Sequence, residues 1–183
     1  MNTTTLFKTS LFAAALLALP LAQAATMAKP DYTAAKSRIS ADYKTDKAAC
    51  ATLTANAKDI CVEQAKAKEK VARAELEYSY TGKAKDQNKV LVAKAESSYS
   101  VAKEKCDDMK GNEKDVCVKQ AKAVEVKALA DAKMGKQITE AKTDAAQDKR
   151  DADYKVAAEK CDARTGDAKA GCIAAAKAKF GKS

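Results

Sequence analysis

Apolar positions follow two regimes along this chain. From Leu11 to Leu21 they are nearly continuous, whereas only 19 of the 159 residues from 25 to 183 are Leu, Ile, Val or Phe. Between those sparse positions the chain is written in Ala, Lys, Glu, Asp and Gln, strong helix formers apart from Asp, and no proline follows Pro30. This pattern predicts helices over 31–52, 57–79, 85–109, 113–160 and 168–180, with a break at Tyr80-Thr81-Gly82-Lys83. Gly135 either splits the fourth helix or is carried inside it at a penalty of about 1 kcal/mol. So few large apolar residues predict a thin core, because alanine faces remove little apolar area from water. Glu69 with Arg73 and Asp115 with Lys119 stand at the i, i+4 spacing that supports a helix.

Six cysteines change the picture. They form three C-x10-C pairs, Cys50 with Cys61, Cys106 with Cys117 and Cys161 with Cys172, each inside one copy of a longer repeat. The copies span Asp42–Ala67, Ser98–Ala123 and Asp153–Ala178, at offsets of 56 and 55 residues. A period of this size marks duplicated supersecondary units, here pairs of helices joined by a tight turn. Gly111 and Gly166 follow their cysteines by five residues, where a helix ends on a left-handed glycine, and Asn112 and Asp167 are then good N-caps for the next helix. Asp115 adds a weak capping box, and the first copy has Ala55 in place of the glycine. Cysteines equidistant from such a turn face each other, so the three pairs are expected to be local disulfides worth about 3 kcal/mol each. Tyr43, Tyr99 and Tyr154, each seven residues before a first cysteine, share its helical face and are read as packing residues.

The expected fold is therefore all-α: elongated antiparallel helical hairpins, three repeats of ~55 residues stapled by local disulfides, with a compact bundle as the alternative. The division is a signal peptide over 1–24 and hairpin units over 25–81, 82–135 and 136–183. Lys8, the Leu11–Leu21 run and the small-x-small Ala22-Gln23-Ala24 carry the signal-peptide reading, and no segment approaches the roughly 20 apolar residues of a membrane span. Export in turn accounts for paired cysteines, since disulfides persist outside the cytosol.

Candidate chemistry is sparse. The chain has no histidine, no G-x-S-x-G and no Gly-rich phosphate loop, and Asp107, Asp108 and Asp115 read as turn and cap residues, so no catalytic, cofactor-binding or metal site is assigned. Ten residues between cysteines argue against C-x-x-C redox chemistry and against zinc spacing. The net charge is +9, or +8 without residues 1–24, since only Lys8 is lost with them. That balance favours anionic partners such as lipopolysaccharide, anionic phospholipid or peptidoglycan, or another envelope protein. Acidic residues interrupt the lysines throughout and no basic stripe alternates with aromatics, which argues against nucleic acid.

The pattern Tyr-x6-Cys-Asp-x3-Gly-Asn/Asp-x4-Cys-Val/Ile-x2-Ala-Lys-Ala, clearest at 99–123 and 154–178, resembles that of uncharacterised exported Ala/Lys-rich helical repeat proteins of Gram-negative bacteria, sometimes labelled TolA-like by composition. The resemblance implies a periplasmic location and carries over no catalytic residue. The function expected is that of a non-enzymatic periplasmic structural or interaction protein of the cell envelope; the alternative is a periplasmic stress holdase.

Overall fold

A computed structural model describes residues 27–182, so the expected signal peptide over 1–24 lies outside the described residues. These residues form five α-helices and one short 3-10 turn. The helices are α1 (Lys29–Ala49), α2 (Ala55–Thr81), α3 (Ala84–Cys106), α4 (Gly111–Cys161) and α5 (Gly166–Phe180), with the 3-10 turn over Cys50–Thr52. Pro30 stands in the first turn of α1, where its missing N–H breaks no helical bond.

Each helix packs against its neighbours in the chain and against no other helix among the described residues. The result is an open row, α1–α2–α3–α4–α5, with no central core. Cross-links show that consecutive helices run antiparallel. The Tyr32 hydroxyl donates to Glu77 Oε2 at 2.8 Å near one end of the α1/α2 pair. At its other end Lys68 pairs with Asp46, also at 2.8 Å. The Asn56 side chain donates to the Glu104 carbonyl at 3.0 Å, so the α1/α2 and α3/α4 turns lie side by side.

Alanine composition sets the packing. Of ten buried apolar residues, five are alanine and three are cysteine, and Leu76 and Val90 are the only large aliphatic ones among the described residues. Small side chains let helix backbones approach but bury little area. Local covalent links and turn geometry therefore contribute an unusually large share of stability.

Two sequence expectations are corrected in detail, and one left open is decided. Gly135 is carried inside the fourth helix: α4 runs unbroken for 51 residues, about 76 Å. Residues 135 and 136 both lie within this helix. Residues 133–150 are all exposed, although Gly135, Lys136, Thr139 and Glu140 still border a depression shared with the first turns of α3. The glycines act at the start of the second helix and not at the end of the first, which stops earlier, at Cys106 or Cys161. Asn112 and Asp167 are consequently inside their helices, and the residues in the cap positions are Lys110 and Thr165, with no side-chain cap bond. Finally, the Glu69–Arg73 pair forms at 2.7 Å, but Asp115 does not pair with Lys119; its neighbour Lys114 instead reaches back across the turn to Asp107 at 2.8 Å.

Candidate functional site

Three turns of nearly identical geometry carry the cysteines. The residue before each second helix is extended, Thr54, Lys110 and Thr165 with φ of −128°, −131° and −128°. The next residue is left-handed, Ala55 at φ 50°, Gly111 at 55° and Gly166 at 55°. Backbone N–H groups of Leu53, Met109 and Arg164 donate to the carbonyls of Cys50, Cys106 and Cys161 at 3.0–3.1 Å. This reversal brings the paired Cα atoms to 5.6–5.7 Å, and disulfides join Cys50–Cys61, Cys106–Cys117 and Cys161–Cys172. The first sulfur of each pair is buried, and no described cysteine is free. In the second and third turns a lysine of the new helix closes the reversal on an aspartate, Lys114–Asp107 at 2.8 Å and Lys169–Asp162 at 3.0 Å. The first turn has Ala51 at that aspartate position.

The three tyrosines are half-buried, as packing residues would be. Tyr99 is more than that. It lines an open groove of about 550 Å³ between α3 and α4, together with Leu91, Ala95, Val124 and Ala128. The Lys122 ammonium sits 4.8 Å from the centre of the Tyr99 ring and donates to the buried Glu125 carboxylate at 2.6 Å. That hydrogen bond raises the Lys122 pKa and keeps the ammonium charged over the ring. The groove is largely apolar, and its charged lining residues are Lys94, Glu125 and Asp131.

Sequence reasoning did not single out Leu91, Val124 or Glu125. The signal was present in the comparison of copies: Lys68-Glu69-Lys70 of the first becomes Val124-Glu125-Val126 of the second. Reading the repeat for its differences as well as its identities locates the groove.

A second buried acid lies at the α2/α3 junction. Asp86 pairs with Lys89 at 2.8 Å and accepts a hydrogen bond from the Thr81 hydroxyl at 2.7 Å; the Lys89 ammonium, then the Thr81 hydroxyl, hold its carboxyl below the usual aspartate value. It anchors the start of α3 against the end of α2, where Gly82 turns the chain at φ 61°.

Among the described residues no cluster of three or more His, Cys, Asp or Glu is arranged to hold a metal ion, and no helix is long and apolar enough to cross a membrane. The class defined by fold and site is an all-helical, disulfide-linked open array. Comparison with family models, curated proteins and solved structures finds no match to the chain.

Proposed function

We propose that this protein is a non-enzymatic interaction protein of the bacterial envelope, exported to the periplasm, in which three helical hairpin units over 25–81, 82–135 and 136–183 present lysine-rich helix faces to anionic envelope components or to another envelope protein. The resemblance to exported Ala/Lys-rich repeat proteins belongs to the same proposal. The observation that carries it is the open row of helices, each contacting only its chain neighbours. Such a row maximises exposed helix face and holds its turns by disulfides that survive in an oxidising compartment. The shared backbone geometry of the three turns supports the division into three units.

The test is cosedimentation of the oxidised protein with purified sacculi and with vesicles of anionic or zwitterionic phospholipid. Binding to anionic material that disappears between low and high salt is expected, since lysine contacts are screened within about 8 Å at physiological ionic strength. Salt-independent binding, or none, overturns the proposal.

A holdase is the second reading, favoured by the half-exposed Leu91 and Val124 along the α3/α4 groove. It requires suppression of client aggregation at near-stoichiometric ratio, lost in Leu91→Asp.

A further inference from the structure

α2 and the first part of α4 are related by an offset of 56 residues, yet they differ in what covers them. α2 lies between two helices: one face meets α1, and the other meets α3. On that second face Ala67 and Val71 share a surface depression with Ser97 and Val101 of α3. The ion pairs Lys70–Glu96 at 2.6 Å and Glu75–Lys94 at 2.7 Å set the antiparallel register.

Shifted by 56 residues, Ala67, Lys70, Val71 and Glu75 of this α2 face become Ala123, Val126, Lys127 and Asp131 of α4, preceded by Val116 in place of Ile60, so a valine and a lysine exchange places on it. Shifted by 55, the matching α3 face becomes Lys149, Asp151, Ala152 and Val156, farther along the same helix. The valines of both faces are exposed, Val116, Val126 and Val156 by 43%, 53% and 56%, while Asp131 stands at the edge of the α3/α4 groove. The two faces cannot meet within one chain, because Asp131 and Lys149 are about 27 Å apart along an unbroken helix.

We infer that the partner is a second copy of this chain. Two copies lie antiparallel along α4, the first half of each helix against the second half of the other, around a twofold axis beside Ile138. This contact is isologous, as a twofold dimer requires. Charge complementarity agrees with the α2/α3 template. Asp131 faces Lys149 of the second copy as Glu75 faces Lys94, and the reverse pair forms across the axis. Val126 replaces Lys70, and Asp151, which takes the place of Glu96, is already neutralised by Lys182 of its own chain. The chain also accounts for why the pairing is exchanged between copies. Gly82 lets α2 turn back on itself at φ 61°, whereas the aligned residue is Ile138, a β-branched side chain that disfavours positive φ, so the helix continues and its last segment is delivered to a neighbour.

The experiment mixes isotopically heavy and light oxidised protein and couples carboxylates to lysines with a zero-length carbodiimide. Peptides joining Asp131 of one isotope to Lys149 of the other are expected, together with a dimer mass in sedimentation equilibrium. Val126→Asp and Val156→Asp each raise the dimer dissociation constant by about tenfold or more, with helicity unchanged. Asp131→Lys weakens the dimer, and adding Lys149→Asp restores it. Leu91→Asp, on the α3/α4 groove, leaves dissociation unchanged. A monomer at about 0.1 mM, coupling confined to peptides of one isotope, or equal dissociation by Leu91→Asp overturns the inference.

Discussion

Ala55 and Gly111 occupy the same left-handed backbone position at the heads of α2 and α4, with φ of 50° and 55°. For an alanine that conformation brings Cβ against the carbonyl oxygen and costs about 1–2 kcal/mol, a penalty glycine does not meet. Ala55 is the one non-glycine residue with positive φ among the described residues. Ala55→Gly is expected to stabilise the first hairpin by about 1 kcal/mol, and Gly111→Ala to destabilise the second by a similar amount, because open space around Gly111 removes steric clash as a further cause. Urea titrations followed by circular dichroism measure both; an unchanged midpoint for Ala55→Gly contradicts the strain argument.

The opposite change is expected at Gly135. This glycine lies in the middle of α4 with ordinary helical backbone and open space where a Cβ would go. Gly135→Ala should raise stability by up to about 1 kcal/mol and increase helicity. A loss of stability would show that α4 needs to bend there.

Removal of any one cysteine pair by double Cys→Ala substitution should lower stability by about 3 kcal/mol, the entropy of a closed loop of this length. The Cys161–Cys172 pair is the most exposed in its consequences, since α5 packs on α4 alone. Loss of that bridge should release α5 while leaving α1 to α3 folded, which hydrogen exchange resolves helix by helix.

Asp86 makes the α2/α3 junction acid-sensitive. Its carboxyl is 2% exposed, and the Lys89 ammonium followed by the Thr81 hydroxyl holds its pKa below the usual value. A group depressed on folding contributes stability above its unfolded pKa, about 4, and loses it as pH falls through the folded value. The thermal midpoint of Asp86→Asn should therefore lie below that of the parent by a constant margin from pH 7 to about pH 5, and the margin should shrink below about pH 4. A margin independent of pH down to about 2 excludes the ionised carboxylate as its source.

How far a property could be read from the sequence depended on the distance over which it is decided. The helices, the three reversals and the pairing of Cys50 with Cys61, Cys106 with Cys117 and Cys161 with Cys172 all involve residues within about one turn and two helical ends, so helix propensity, glycine placement and equidistance from a turn were enough to specify them. Helix ends were displaced by up to three residues, because a left-handed Gly111 or Gly166 serves an entering helix as well as a departing one, and only the closed turn distinguishes the two.

What only the tertiary structure decided is which faces are covered. The groove of Leu91, Tyr99 and Val124 unites residues 33 positions apart, and the buried Glu125 is an acid whose i, i+3 lysine becomes meaningful only once Tyr99 is brought beneath it. The same holds for α4. Its sequence allows a helix on both sides of Gly135, but the open row and the exposed residues 133–150 follow from thin alanine packing, in which no apolar core among the described residues is large enough to draw α5 and the end of α4 back onto α1 to α3.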